Sequence, residues 1–189
     1  MSEIYNTTVP VLLYSRKITV CFRGLNPMTY RMFEFPSRKG GIYMNTKETI
    51  LNRAAEIIAQ RTVRQDKDSY GTLITIDPDG SPVPTTISPS RSEGIRWITF
   101  CTGLGAPSPV RLGQNNKAAV CLNAPTYHIS LTGTAEVCTD PEICREMWYD
   151  GLANHFSGPD DPDFCVIRFT TQRYSLFIDW EVVKGEIDG

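Results

Sequence analysis

The chain has 189 residues, of which 41% are hydrophobic and 21% are charged, a composition typical of one globular domain with a well-formed core. The net charge of −2 argues against nucleic-acid and anionic-membrane partners, because both require a basic surface. No apolar run approaches the roughly 20 residues that cross a bilayer. These properties exclude the nucleic-acid and membrane-spanning classes and leave a small-molecule or protein partner.

Six cysteines are scattered along the chain, at Cys21, Cys101, Cys121, Cys138, Cys144 and Cys165. None belongs to a CxxC pair, and the chain has two histidines, so we predict no metal site. Scattered cysteines without a secretory signal are typical of a reducing compartment. We therefore predict a cytoplasmic protein in which the thiols are buried and structural.

Residues 1–43 differ in charge from the rest of the chain. They carry six Lys or Arg and two Asp or Glu, a balance of +4 against −6 for the remainder. Lys39-Gly40-Gly41, shortly before Met44, is what a purine-rich bacterial ribosome-binding site encodes when it is translated in frame. We predict that residues 1–43 are a mis-annotated leader or a disordered arm, and that residues 44–189 form the domain. Peptides from residues 1–38 in the native protein, detected by mass spectrometry, would exclude the leader.

The first predicted elements are a helix and three strands. Apolar residues at helical spacing indicate an amphipathic helix over residues 46–61, opened by Asn45 and Glu48 as a capping box. Strands are predicted at residues 70–76, 82–88 and 95–102. A proline-glycine turn at residues 77–80 joins the first two, and residues 91–94 form the next turn. Prolines in the second strand predict a free or bulged edge, because proline cannot donate to a ladder.

The second half of the chain predicts two helices and four more strands. A short helix at residues 109–115 precedes strands at 118–122 and 127–138. A helix at 140–156, capped by Asp140, precedes strands at 165–170 and 175–183. Tight links between the first strands favour antiparallel pairing over a parallel sheet. The predicted fold is mainly β, a split antiparallel barrel of about six to seven strands with flanking helices.

Ser108 and Arg111 form a candidate anion site. Ser108 is predicted to stand at a helix start, where unpaired backbone N–H groups and the local dipole favour an anion. The guanidinium of Arg111, one turn later, can bind a phosphate with two parallel hydrogen bonds. A Ser-Pro sequence at a helix start is also common as a plain N-cap, so this segment alone allows both interpretations.

A second polar cluster lies on the second predicted strand, at Thr85, Thr86 and Ser88. Beside a proline-broken edge, these residues can offer hydroxyl and main-chain groups to a flat polar ring, although threonine is common in strands for other reasons. Thr102 ends the third strand at the same end of the sheet. The sequence contains no evident paired carboxylates or poised histidine, so we expect no acid/base side chain to be essential and assign no catalytic residue.

Four segments, in this order and at this spacing, resemble the pyridoxamine 5′-phosphate oxidase-like family of FMN-binding split barrels, over about residues 44–183. They are Gly71–Gly80, Trp97–Thr102, Ser108–Leu122 and His128–Val137. The resemblance implies a homodimer with FMN at the subunit interface and a small-molecule substrate or reductant. The residues that it assigns to FMN are Thr85, Thr86, Ile87, Ser88, Cys101, Thr102, Ser108 and Arg111. In this assignment Ser108 and Arg111 bind the phosphate, and the strand residues line the ring and the ribityl chain.

The chain departs from the family pattern at the phosphate. The usual Ser-x-Lys or Ser-Arg-Lys is Ser108-Pro109-Val110-Arg111 here, and the usual arginine of the second strand is Thr85. One of two cationic ligands is therefore missing, which implies looser FMN binding. No C-terminal segment matches the substrate-phosphate residues of true pyridoxamine phosphate oxidases, and the general-stress-protein-like branch is the closer likeness.

The resemblance implies an FMN-dependent oxidoreductase that acts on an unknown small molecule. One alternative is a stress-response protein that binds FMN or haem without turnover. The other is a true pyridoxamine 5′-phosphate oxidase.

Overall fold

The computed structural model of the protein describes residues 47–62 and 69–187, together with the backbone of residues 13–14 and 17–18. Contacts divide the chain into two units, Met1–Ile42 and Tyr43–Gly189. In the first unit, β1 (Leu13–Tyr14) pairs antiparallel with β2 (Lys17–Ile18). The predicted leader over residues 1–43 lies almost wholly outside the described residues and stays a prediction.

The described part of the second unit contains eight strands and three α- or 3-10 helices besides α1. The elements are α1 (Lys47–Arg61), β3 (Gly71–Ile76), β4 (Pro82–Ile87), β5 (Pro89–Glu93), β6 (Trp97–Gly103), α2 (Pro107–Leu112), β7 (Lys117–Ala124), β8 (Tyr127–Cys138), α3 (Pro141–Met147), a 3-10 helix (Asp150–Asn154), β9 (Phe164–Ile178) and β10 (Glu181–Glu186).

The eight strands form one antiparallel sheet in the order β4-β3-β7-β8-β9-β6-β5, and β10 pairs with β9. β9 pairs with β8 along its length, with β6 through its first half and with β10 through its second half. The β8–β9 register shifts between Thr132 and Gly133, and such a bulge bends a sheet. The predicted split antiparallel barrel is confirmed, with one strand more than the six to seven expected.

Two hydrophobic clusters stabilise the fold. The main core lies between α1 and the concave face of the sheet, and α1 contributes Ile50, Ala54, Ile57 and Ile58 to it. The apolar residues whose helical spacing predicted α1 therefore include the side chains that α1 buries. A smaller cluster lies beneath α3 and the 3-10 helix and contains Cys144, Met147, Leu152, Phe164 and Val166.

β5 was not predicted, because its sequence is polar and residues 91–94 were interpreted as a turn. The strand is stabilised by its pairing with β6 and by a buried hydrogen bond between Ser90 Oγ and Thr99 Oγ1 at 2.9 Å. The turn falls later, at residues 94–96, where Gly94 has a φ of +53°. Tertiary pairing thus decides the structure of this segment, which lacks an alternating apolar pattern.

The helix predicted over residues 140–156 is much shorter than expected. α3 ends at Met147, and Trp148 follows with an extended ψ of 142°. Arg91 of β5 donates to the main-chain carbonyl of Glu146 at 2.6 Å and pairs with its carboxylate at 2.8 Å. Arg91 of β5 therefore binds the last turn of α3. Arg91 and Glu146 are far apart in the chain, so the periodicity of the helix sequence cannot predict this contact.

Candidate functional site

The β3–β4 hairpin and α2 together carry the residues of the candidate site. The turn between the strands is closed by hydrogen bonds from Asp77 N–H to the Ser81 carbonyl at 2.9 Å and from Gly80 N–H to the Asp77 carbonyl at 2.8 Å. Gly80 has a φ of +87°, a conformation that favours glycine. This turn places Thr85 of β4 opposite Leu73 of β3. α2 packs against β3 and β8.

Ser108 lies inside α2, in its first turn, and is 4% exposed. The helix begins at Pro107 and Ala106 is the residue before it, so the prediction that the helix starts after Ser108 is wrong by two residues. Because its hydroxyl does not cap the helix, it is available to another element. It donates to Thr85 Oγ1 at 3.4 Å and so joins α2 to β4.

The first turn of α2 offers fewer backbone donors than an ordinary helix start. Pro107 and Pro109 have no N–H, and the Val110 N–H donates to the Ala106 carbonyl at 3.4 Å. Within the described part of the chain, the Ser108 N–H is the one first-turn donor that remains. Anion binding here must therefore rest mainly on side chains.

Arg111 lies one turn after Ser108, and its side chain is 18% exposed. Its Nε donates to Asp77 Oδ1, and the Asp77 side chain is 39% exposed. Neither Nη group of Arg111 has a partner among the described residues. The guanidinium is therefore anchored through one donor and retains the donors that could bind a phosphate.

Two further features are a buried hydroxyl on β3 and a cleft beside the Arg111–Asp77 ion pair. The hydroxyl of Thr75 is fully buried and has no hydrogen-bond partner among the described residues. A cleft of about 180 Å³ opens beside the ion pair and is lined by Asp77, Pro78, Pro107, Val110, Arg111 and Gln114.

The remaining predicted residues of β4 lie along an unpaired edge. Within the described residues, β4 pairs with β3 alone, as its prolines predicted. Thr86 is exposed and stands opposite Thr72, whereas Ile87 is half-buried opposite Gly71. Ser88 follows the strand and is half-buried.

Cys101 and Thr102 lie near the end of β6, and the Cys101 side chain is directed away from the Ser108 region. The Cys101 thiol donates to the Met147 carbonyl at 3.7 Å and packs against the cluster beneath α3. Thr102 is the next residue, so its side chain points to the opposite face, and it pairs with Cys165 of β9. The structure thus joins Ser108 to Thr85 and Arg111 to Asp77, while the Cys101 side chain contacts a different region.

The thiols around β9 are poor nucleophiles. Burial raises the pKa of Cys165 to about 12, and burial also raises the pKa of Cys138 and Cys144. A thiol must lose its proton to attack an electrophile, so a raised pKa lowers the fraction of reactive thiolate in these groups at neutral pH. Cys144 and Cys165 are buried, as predicted, whereas Cys101, Cys121 and Cys138 are half-buried, so the prediction of buried thiols holds only in part.

The acidic loop after the 3-10 helix is organised by Asp161. Its carboxylate accepts hydrogen bonds from the Ser157 N–H at 2.8 Å and the Asp163 N–H at 2.9 Å, which lower the pKa of Asp161. Over the described residues, no three His, Cys, Asp or Glu side chains form a group able to hold a metal ion. In the same residues, no helix is long and apolar enough to cross a membrane.

Sequence reasoning assigned Asp77 only to a turn and missed its contact with Arg111. The residues are 34 positions apart and meet because α2 packs against β3. The sequence offers only a weak signal for this contact, namely that Asp77 is an acidic residue at the end of a strand. Aspartate is also common in turns, so the signal is not specific. Thr75 gave no signal, since threonine is frequent in strands.

The chain belongs to the pyridoxamine 5′-phosphate oxidase family, since residues 59–177 match that family's model. This confirms the resemblance drawn from the four sequence segments.

Solved structures with the same fold include two general stress proteins. A protein from Clostridium acetobutylicum related to general stress protein 26 is 20% identical, covers 76% of this chain and 97% of its own, and superposes with a TM-score of 0.60. General stress protein 26 from Bacillus anthracis is 18% identical, with 75% and 100% coverage and a TM-score of 0.56. A heme binding protein from Mycobacterium smegmatis is 22% identical, with 70% and 57% coverage and a TM-score of 0.53. At these identities the likeness supports the fold alone. Comparison with curated proteins gives no match.

Proposed function

We propose that this protein binds FMN and is an FMN-dependent oxidoreductase that acts on a small molecule. The observation that carries the proposal is a pair of contacts between α2 and the β3–β4 hairpin: the Ser108 hydroxyl donates to Thr85 Oγ1 at 3.4 Å, and Arg111, one helical turn later, donates through Nε to Asp77 Oδ1. Hydroxyls and a guanidinium are groups able to bind a phosphate, and we propose this role for them here. The proposal includes a cytoplasmic location.

The side chains fit the phosphate of FMN with fewer charges than the family pattern. The Ser108 hydroxyl donates to Thr85 Oγ1, so the hydroxyl proton of Thr85 is the donor that remains, and Arg111 supplies its two Nη groups. Thr85 stands beside Ser108, at the position where the family pattern has an arginine. The site therefore has one cationic ligand, Arg111, which is itself paired with Asp77, where the family pattern has two. We expect FMN to bind with moderate affinity for this reason.

The protein's own contribution would be to bind and orient the flavin, while the flavin supplies the electron-transfer chemistry. The free edge of β4, from Thr85 to Ser88, would offer main-chain groups to the ring. The ends of β6 at Cys101 and Thr102 would approach through the main chain, because the Cys101 thiol is directed to Met147. We propose a homodimer in which the second subunit completes the site.

Haem is the second cofactor to consider, because one neighbour of this fold is a heme binding protein. A haem iron needs an axial ligand such as histidine. His128 Nδ1 lies 3.3 Å from Asn123 Oδ1, and the His128 ring lies 5.6 Å from the Phe177 ring. His155 follows the 3-10 helix. Neither histidine lines the cleft beside Arg111, so FMN remains the better proposal.

The visible spectrum of the purified protein tests the cofactor. Bound FMN gives absorption bands at about 375 and 450 nm, whereas bound haem gives a Soret band. A colourless protein that does not bind added FMN or haem would contradict both proposals. Stopped-flow mixing of the FMN complex with NADH or NADPH then distinguishes an oxidoreductase from a binding protein, because only the former is expected to be reduced rapidly and reoxidised by a substrate.

A further inference from the structure

We propose that Asp77 is a positioning residue that orients Arg111 toward the phosphate of the flavin. This inference rests on the proposed FMN function and adds to it a residue that the sequence assigned only to a turn. Asp77 would act through Arg111 and would not itself touch the ligand.

The hydrogen bond between Asp77 and Arg111 uses one donor of the guanidinium and leaves the others unpaired among the described residues. A guanidinium is planar and presents two hydrogen-bonding edges, one formed by Nε and one Nη group, the other by both Nη groups. Asp77 Oδ1 accepts from Nε, and neither Nη group has a partner among the described residues. A bond at Nε restricts rotation of the plane and leaves the second edge as a fork that matches two phosphate oxygens.

Asp77 is itself held in place by the turn. Its main-chain N–H donates to the Ser81 carbonyl and its carbonyl accepts from the Gly80 N–H, at 2.9 and 2.8 Å. The acceptor for Arg111 therefore stands on a closed turn, and Arg111 stands on a helix that packs against the same strand. An arginine fixed before binding loses less side-chain freedom when the ligand arrives.

The carboxylate has a second, opposite effect. Its negative charge reduces the attraction of Arg111 for a phosphate, which carries about −1.5 to −2 at neutral pH. Orientation and charge can be separated, because Asp77→Asn removes the charge but keeps an oxygen acceptor, whereas Asp77→Ala removes both. The two variants have the same charge, so a difference between them in phosphate binding reports the acceptor.

The experiment compares FMN with riboflavin, which lacks the phosphate. Dissociation constants of both flavins are measured by fluorescence quenching for the full chain and for Asp77→Asn and Asp77→Ala. We expect FMN to bind Asp77→Ala about 3- to 10-fold more weakly than Asp77→Asn, the range of one oriented hydrogen bond. Riboflavin should bind both equally. A loss that is purely structural would weaken both flavins alike.

Two matched variants complete the design. Asp79→Asn removes the same charge from the same turn, where Asp79 accepts from the Ser81 N–H and has no contact with Arg111. It should leave the FMN-to-riboflavin ratio within about twofold of wild type. In an Arg111→Ala background, Asp77→Ala and Asp77→Asn should bind FMN equally, because the positioning effect requires the guanidinium.

The possible failures are distinguishable. Equal FMN affinity of Asp77→Ala and Asp77→Asn overturns the positioning role and leaves FMN binding intact. If both bind FMN equally and more tightly than wild type, Asp77 is a competitor for Arg111 and the proposal is wrong. A wild-type chain that does not bind FMN overturns the proposed function and this inference together.

Discussion

Arg111 supplies the single guanidinium of the candidate phosphate site, and it is the residue that we expect to affect the affinity for FMN most. Where the family pattern provides a second cation, Thr85 contributes a neutral hydroxyl that accepts a hydrogen bond from Ser108. A neutral donor stabilises a phosphate less than a charged one does. Removal of Arg111 should therefore remove most of the charge-assisted binding.

Arg111→Ala is expected to weaken FMN binding by about 1.5–3 kcal/mol, the scale of a hydrogen bond to a charged group. Riboflavin affinity should not change, because riboflavin has no phosphate. Flavin fluorescence titration measures both. Arg145→Ala is the control, since Arg145 forms an exposed pair with Asp160. Unchanged FMN affinity in Arg111→Ala would exclude Arg111 from the site.

A substitution at Gly133 tests how closely β8 and β9 approach each other at the bulge. A Cβ atom at this position would lie 1.9 Å from the Thr170 carbonyl oxygen, so the two backbones cannot keep their separation. We expect Gly133→Ala to lower the free energy of unfolding by about 3 kcal/mol in urea denaturation. Gly113→Ala is the control, because Gly113 has an ordinary φ of −64° and no contact under 3.5 Å. Equal stability of the two variants would contradict the close approach.

At the scale of elements, α3 depends on a cap at its start and a strand at its end. The Asp140 carboxylate accepts from the Glu142 and Ile143 N–H groups at 2.8 and 3.3 Å. Arg91 of β5 binds the last turn. Both contacts fix the helix over the second hydrophobic cluster, which includes Met147.

Asp140→Ala should lower the free energy of unfolding by about 1 kcal/mol, the usual effect of losing an N-cap. Asp140→Asn should retain most of the stability, because asparagine is also a good cap. Urea denaturation followed by tryptophan fluorescence is a suitable measurement, since Trp148 follows this helix. If the alanine and asparagine variants lose stability equally, the cap hydrogen bonds do not stabilise the helix.

For the whole molecule, the main expectation is a homodimer that completes the flavin site. Val110 is 54% exposed and precedes Arg111 on α2, so one exposed apolar side chain lies next to this candidate phosphate ligand. An exposed apolar side chain beside a binding site is a feature that subunit contacts can bury. The second subunit would then also enclose the flavin ring along the free edge of β4.

Light scattering after size exclusion should give a mass twice the 21.2 kDa of one chain. FMN affinity should fall when the protein is diluted below the dimer dissociation constant, because binding and assembly are then linked. Fluorescence titration at several protein concentrations measures this dependence. A monomer that binds one FMN with undiminished affinity would contradict the shared site.

Several particular residues show what the sequence alone determined. The spacing of Ile50, Ala54 and Ile57 defined α1, and the Asp77–Gly80 turn defined the β3–β4 hairpin. The order of these elements, with the family-like segments, determined the split barrel and directed attention to Ser108 and Arg111. These features are local, or repeat at a fixed period, so a single chain displays them.

Tertiary structure alone decided which side chains meet. The pairing with β6 made residues 89–93 a strand, and the packing of α2 on β3 brought Asp77 to Arg111 and Ser108 to Thr85. The same geometry directs the Cys101 thiol toward the Met147 carbonyl, and the assignment of Cys101 to the flavin, which came from the family resemblance, stays a prediction. Contacts between residues far apart in the chain depend on register and packing, which no local pattern encodes. The sequence thus determined the family and the phosphate ligands to test, whereas the fold determined how Arg111 is held.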